Sequence, residues 1–258
     1  MQNLTITLVQ TPLEWQNPAA NRARFQTELT ALKGKTDLII LPEMFTSGFS
    51  MQPELVAEQM TGETLVWLKT LAQELNAAIC GSVVIQHNTE YRNRFLFVTP
   101  DGAVSHYDKH HLFRMGNEHQ HYAAGTERQL IEYKGWRILP EVCYDLRFPV
   151  WSRNRNDYDL AIYVANWPAP RRNAWRTLLM ARAIENQCFV AGVNRTGTDG
   201  NELNYAGDSM LVNHLGEPQL DLADAQFRIA STTLIGDDLQ RFRESFPAWQ
   251  DADSFTLN

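Results

Sequence analysis

The sequence predicts an α/β fold in which two packed sheets carry helices on their outer sides. Two observations lead there. Short apolar runs alternate with amphipathic, helix-length segments from one end of the chain to the other. The middle of the chain adds antiparallel signals that a simple doubly wound sheet does not need. With no linker, low-complexity stretch or internal repeat, residues 1–258 read as a single domain.

The elements follow in order. Residues 4–10 (LTITLVQ) read as a strand, and residues 18–32 as a helix capped by Asn17 ahead of Pro18. Residues 37–41 (DLIIL) suit a strand buried on both faces. Across 62–76, Leu65, Leu68, Leu71, Ala72 and Leu75 recur at helical spacing, and 78–86 is a second buried strand. Phe95–Thr99 and Ala103–Tyr107 flank Pro100-Asp101-Gly102, a turn signal that makes them a hairpin. Further strands are expected over Gly135–Cys143, Asp159–Val164, Phe189–Asn194 and Ser209–Asn213. A helix spans Asn173–Asn186, and Leu215-Gly216-Glu217 forms a turn. The tail, Asp237–Phe246, reads as helical and then extended.

Composition narrows the function. The net charge of -7 argues against a general nucleic-acid binder and gives no long-range pull on an anion, so an acidic substrate needs a local cationic pocket. The amino terminus lacks the pattern of a signal peptide, and no window holds about 18 consecutive apolar residues, so no membrane span is expected. Three widely spaced cysteines, Cys80, Cys143 and Cys188, argue against a disulfide framework and suit a reducing cytoplasm.

Three segments stand out because each sits where an apolar strand ends. Glu43 follows LIIL and Pro42. Lys109 follows the strand ending at Tyr107. Cys143 ends the strand Gly135–Cys143 at a sharp turn before Leu146-Arg147-Phe148-Pro149. A thiol at a strand-to-helix elbow exposes its sulfur, and backbone N–H groups there can hold an oxyanion. Isolated buried cysteines are usually inert, and Cys80 and Cys188 fit that description. Loop glutamates and hairpin lysines are usually just solvated. Together, however, a base, a cation and a thiol are the parts needed to hydrolyse a carbon–nitrogen bond through a thioester. Glu118, on a polar Gly-containing segment expected to be a loop, is placed to orient Lys109 or a substrate amide. His110, His111, His119 and His121 show no zinc spacing, so no metal is expected; no nucleotide-binding motif is present and no cofactor is expected.

These motifs resemble the Glu–Lys–Cys triad of the nitrilase, or carbon–nitrogen hydrolase, superfamily. Tyr107-Asp108-Lys109-His110-His111-Leu112-Phe113 resembles its lysine motif, and Cys143-Tyr144-Asp145-Leu146-Arg147-Phe148-Pro149 its nucleophile motif. Glu118 falls where the family has an auxiliary second Glu. Ala181–Asn186 and Gly207-Asp208-Ser209 extend the resemblance over nearly the whole chain. It implies a four-layer αββα sandwich, usually a homodimer. Tyr144–Phe148 with Val164–Pro168 look most like the omega-amidase branch, which hydrolyses 2-oxoglutaramate and 2-oxosuccinamate to the 2-oxo diacid and ammonia. The roles it implies are Glu43 as base, Cys143 as nucleophile, and Lys109 with the backbone N–H of Tyr144 as oxyanion donors. Arg114, Arg147 and Arg171 are the candidates for a substrate carboxylate, with Phe113 and Trp167 as apolar walls. Other readings are an amidase or carbamoylase of the same superfamily with another small substrate, and a catalytically silent binding protein. One departure is Glu141, two residues before Cys143. Residues two apart in a strand share a face, so Glu141 threatens to raise the thiol pKa unless the elbow turns it away.

Overall fold

In the computed structural model, which describes residues 1–256, two six-stranded sheets stack face to face between helices. β1 (Leu4–Gln10) leads to α1 (Pro18–Leu29), whose N-terminus is closed by the Asn17 side chain accepting from the Ala20 N–H at 3.1 Å. β2 (Leu38–Ile40), α2 (Glu63–Leu75), β3 (Ala78–His87), β4 (Glu90–Val98) and β5 (Val104–Asp108) follow. α3 (Glu118–His121) is a single turn, and β6 (Ile131–Tyr133), β7 (Trp136–Val142) and β8 (Leu160–Ala165) begin the second sheet. After α4 (Arg172–Asn186) come β9 (Phe189–Asn194), the small hairpin β10 (Thr196–Thr198) and β11 (Asn204–Ala206), β12 (Ser209–Val212) and β13 (Pro218–Leu222). β14 (Arg228–Leu234) returns to the first sheet, and α5 (Gly236–Ser245) closes the chain.

The sheet orders are β14-β1-β2-β3-β4-β5 and β13-β12-β9-β8-β7-β6. Within each, three neighbouring strands are parallel, β1-β2-β3 and β7-β8-β9, and the flanking pairs are antiparallel. The strands look apolar throughout because they feed two layers at once. Leu4, Ile6, Leu8, Leu38, Ile40, Ala78, Cys80, Phe95 and Phe97 face the second sheet. Their alternates Val9, Ile39, Ile79, Leu96 and Val98 face α1 and α2 with Phe25, Leu68 and Leu71. On the far side, α4 lies so close to β9 that a Cβ on Gly192 would sit 2.4 Å from Leu179.

Five strands were not expected from sequence: β6, β10, β11, β13 and β14. All are short or polar. β14 pairs with β1 through its backbone and through hydroxyl contacts, Thr5 with Thr233 and Thr7 with Ser231, so apolar patterning does not mark it. The expected tail helix is α5, and beyond it lies a 3-10 turn at Ala248–Asp251 for which no element was expected. Among the described residues, no helix is long and apolar enough to cross a membrane.

Candidate active site

Strand ends build the site. Glu43 lies just beyond β2, Lys109 directly after β5, Cys143 directly after β7 and Asn166 directly after β8. The carboxyl ends of parallel strands are where α/β sheets generally gather their chemistry, because loops there are free of the ladder. Cys143 opens a 3-10 turn (Cys143–Arg147) with φ of +47°, a left-handed conformation that costs a non-glycine residue energy and turns the chain sharply out of the sheet.

The charged centre is buried and joined by hydrogen bonds. Lys109 Nζ donates to Glu43 Oε1 at 2.9 Å and to Glu118 Oε1 at 3.0 Å, and all three side chains are inaccessible to solvent. Asn93 Nδ2 bridges the same two carboxylates at 2.8 and 3.2 Å. The other Glu43 oxygen accepts the Asn166 backbone N–H at 2.7 Å, while Asn166 Nδ2 donates to the Glu43 carbonyl at 2.7 Å. Glu118 is not on a loop, as its polar surroundings had suggested. It starts α3 and accepts the Phe113 N–H at 2.6 Å, which folds the lysine segment back over the site. Gly125 is required beside it: its N–H meets the Lys109 carbonyl at 2.9 Å, and a Cβ would fall 2.1 Å from the Asp108 carbonyl oxygen.

Burial alone would lower the pKa of Lys109, but Glu118 and Glu43 outweigh it and hold the ammonium well above the ordinary lysine value. Glu118 is pushed up by burial and by the charge of Glu43, against the pull of Lys109. Cys143, 9% exposed, is pushed well above the ordinary thiol value by burial first and by Glu43 next, with Lys109 opposing. The resting sulfur is therefore a thiol, and it needs a base at hand to attack anything.

Asp145 ties the nucleophile turn to the lysine segment. Its carboxylate accepts from Tyr107 Oη at 2.9 Å, the Val142 N–H at 3.0 Å, and both the backbone N–H and the ring Nδ1 of His111 at 2.8 Å. His111 stacks on Phe148 and His110 on Trp151, each with ring centroids 3.7 Å apart, so these histidines serve as struts. Among the described residues, no three His, Cys, Asp or Glu side chains converge as a metal site would require.

A cavity of about 240 Å³ opens onto Cys143 and Lys109. Phe113, Tyr144, Arg147, Trp167 and Arg171 line it, as the sequence suggested. Arg114 does not, and that expectation is corrected. Its residue is exposed on a 3-10 turn (Arg114–Gly116), and the neighbouring Met115 and Gly116 take the wall instead. The guanidinium of Arg147 lies over Trp167 (4.8 Å) and that of Arg171 over Phe113 (5.5 Å). Sequence reasoning missed Asn93, the framework role of Asn166 and Asp145, and the walls from Phe49, Met51, Asp199 and Tyr205. Asn93 left no trace, because it sits between Arg92 and Arg94 in the polar first half of β4. The distant walls left none either.

The comparisons with known proteins agree with this geometry. The model of the carbon-nitrogen hydrolase family matches residues 5–241. The chain belongs to that family. This carbon–nitrogen hydrolase is 53% identical to an Omega-amidase YafV of Escherichia coli over the full length of both chains. It is 30% identical to a 2-oxoglutaramate amidase of Bacillus subtilis, covering 96% of each. It superposes with a TM-score of 0.97 on a CN-hydrolase superfamily protein of Xanthomonas campestris carrying an arsenic adduct in its active site, at 52% identity and full coverage of both chains. The αββα sandwich and the hydrolysis of carbon–nitrogen bonds are thus properties of this chain's family and fold.

Within this hydrolase, Glu141 does not face the thiol. The turn at Cys143 takes the sulfur off the strand's face, and the carboxylates acting on it are Glu43 and Glu118. Glu141 pairs in register with Tyr163 on β8, and both its side-chain oxygens are buried without a hydrogen-bond partner. Burial holds its carboxyl well above the ordinary range, with Asp145 acting the same way and Arg128 and Arg182 opposing. A proton held by the folded chain but released by the unfolded one makes stability fall as pH rises through the interval between the two pKa values. Glu141→Gln should therefore gain thermal stability over the parent from about pH 4.5 upward, with no gain below. Melting curves from pH 4 to 8.5 check this; a difference that does not vary with pH would mean a charged, paired Glu141.

Proposed function

We propose that this chain is an omega-amidase that removes the terminal amide of 2-oxoglutaramate, and of 2-oxosuccinamate, as ammonia. The observation that carries the reading is one cavity lined both by Cys143 and Lys109 and by two arginines, Arg147 and Arg171, whose guanidinium groups rest on aromatic rings. Such a pocket takes a short chain with an amide at the thiol and a carboxylate at the arginines. At about 240 Å³ it is smaller than the roughly 300–1,000 Å³ of sites for drug-sized ligands. The names and identities of the Escherichia coli and Bacillus subtilis relatives support the same substrate class.

Glu43 takes the Cys143 proton as sulfur attacks the amide carbon. Lys109 Nζ and the backbone N–H of Tyr144 hold the resulting oxyanion. Glu43 passes the proton to the leaving nitrogen, the C–N bond breaks, and ammonia departs from a thioester. Glu43 then activates water, which releases the 2-oxo diacid and restores the thiol. Glu118 is the positioning residue of Lys109, accepting from its Nζ as Glu43 does, and Asn93 Nδ2 in turn donates to the Glu118 carboxylate. An arsenic adduct in the related active site is what a reactive thiol would form, which favours Cys143 as nucleophile. No step calls for a cofactor.

The test is ammonia release from 2-oxoglutaramate beside glutamine, an N-carbamoyl amino acid and a nitrile. Release from the 2-oxo amide with no carbon dioxide from the carbamoyl compound supports the reading; preference for another substrate sinks the pocket assignment. Arg171→Met and Arg147→Met should raise KM for 2-oxoglutaramate about 10- to 100-fold, the worth of one charge-assisted hydrogen bond. KM for butanamide should stay put. Equal effects on both substrates would remove these arginines from the carboxylate. The reading also takes the chain as one domain, a homodimer by family resemblance, and cytoplasmic, in keeping with three free cysteines. Light scattering measures the dimer.

A further inference from the structure

Met115 stands apart from the other methionines. Among the described residues it is the exposed one, at 76%, and it lines the mouth of the active-site cavity. Its Sδ lies 3.1 Å from Nη2 of Arg171, whose guanidinium is at the same time stacked over Phe113. A thioether is a weak acceptor, so this contact holds Arg171 loosely and releases it easily. The segment carrying Met115 is a 3-10 turn closed by Asn117 in a left-handed conformation. The opposite side of the contact is the 3-10 turn Ala169–Arg171, whose last carbonyl accepts Trp167 Nε1 at 2.9 Å. The sulfur therefore bridges two walls of the pocket at a point open to water.

We propose that Met115 is an oxidation site that controls Arg171. The oxidant is a peroxide. Sulfur attacks one peroxide oxygen, the S–O bond forms as the O–O bond breaks, and sulfur gives up two electrons. The second oxygen leaves as hydroxide, which takes the proton from the sulfur-bound oxygen, so that sulfoxide and water are the products. The sulfoxide oxygen is a strong acceptor where the thioether was a weak one. It sits within reach of the same guanidinium and competes with the substrate carboxylate for it. The product of oxidation is an enzyme with weakened binding of acidic substrates and unchanged chemistry at Cys143. The nucleophile is the obvious rival target, but it is 9% exposed and its sulfur rests as a thiol, the form that reacts slowly with peroxide. This inference rests on Arg171 holding the substrate carboxylate.

The experiment treats the purified full chain with dilute hydrogen peroxide, locates the added oxygen by peptide mass, and measures KM and kcat for 2-oxoglutaramate and for butanamide. Expected is oxygen on Met115 and a KM for 2-oxoglutaramate raised about tenfold, the size of one hydrogen bond to a charged group. Both kcat values and the KM for butanamide should hold. Methionine sulfoxide reductase should reverse the change, and Met115→Leu should show no KM shift on treatment. Oxidised Met115 with unchanged KM overturns the proposal. So does a loss of kcat on both substrates that Met115→Leu shares, which would make Cys143 the target. Arg171→Met separates the two layers of the argument. If it leaves KM for 2-oxoglutaramate unchanged, the carboxylate reading itself has failed. If it raises KM while the sulfoxide does not, only the present inference has failed.

Discussion

Cys143→Ala is expected to abolish ammonia release, while Cys80→Ala and Cys188→Ala keep it. Loss of a covalent nucleophile typically costs on the order of 10⁵–10⁶ in kcat, because the remaining groups stabilise a transition state that no longer forms. Cys143 is the thiol that lines the cavity beside Lys109. Cys80 is packed between the two sheets with Leu38, Phe95 and Phe97, and Cys188 is buried at the start of the strand after α4. Burial pushes the Cys80 thiol well up and the Cys188 thiol up to about 12. Their removal should lower the melting temperature and leave kcat in place. The raised pKa of Cys143 adds a second readout: iodoacetamide should label Cys143 first, at a rate that climbs with pH as more thiolate forms. Turnover by Cys143→Ala within tenfold of the parent would end the thioester account.

Lys109→Met is expected to lower kcat by 10³ or more and to destabilise the fold as well. Removing one oxyanion donor costs about 10²–10³ in rate. Here the ammonium also separates two carboxylates that Asn93 alone would then bridge. Without Lys109, the buried Glu43 and Glu118 carboxylates are opposed with no cation between them, which favours protonation of one of them. Breaking a buried ion network this way costs about 3–5 kcal/mol. A second substitution separates the two effects. Glu118→Gln added to Lys109→Met should recover much of the melting temperature, since one of the opposed charges is gone. It should not recover kcat, because the oxyanion donor is still missing. Recovery of both would show that Lys109 acts only by holding the fold.

How far each group was legible depended on what its neighbours in sequence could say. Glu43, Lys109 and Cys143 were found because each follows an apolar strand and carries a recognisable motif. Their convergence is a consequence of the sheets, where strands β2, β5, β7 and β8 end on one side. Glu118 was found by its place in the motif, but its helix was not, since one turn is too short to show a period. Arg114 was misplaced for a related reason. On a 3-10 turn adjacent residues point in widely different directions, so proximity to a motif does not set which side chain enters the cavity. Asn93 and Asn166, which hold Glu43 in place, were not legible: Asn93 lies between two arginines in the polar half of β4, and Asn166 is a polar residue just past an apolar strand with no motif of its own to mark a contact with Glu43.

Patterning and motif by themselves determined the α/β class and the long strands and helices, and they pointed to the groups proposed to react. Those features depend on local spacing: a period of two or 3.6, a cap, or an elbow after a strand. Only the tertiary structure decided that Glu141 is harmless to the thiol, because a single positive φ at Cys143 breaks the strand's alternation before the sulfur. It also decided that β14, polar and unremarkable, completes the first sheet, and that Tyr205 and Phe49 wall the same cavity as Cys143. Contacts of that kind join residues more than sixty positions apart, and their energy comes from burial and complementary shape that no short stretch of chain contains.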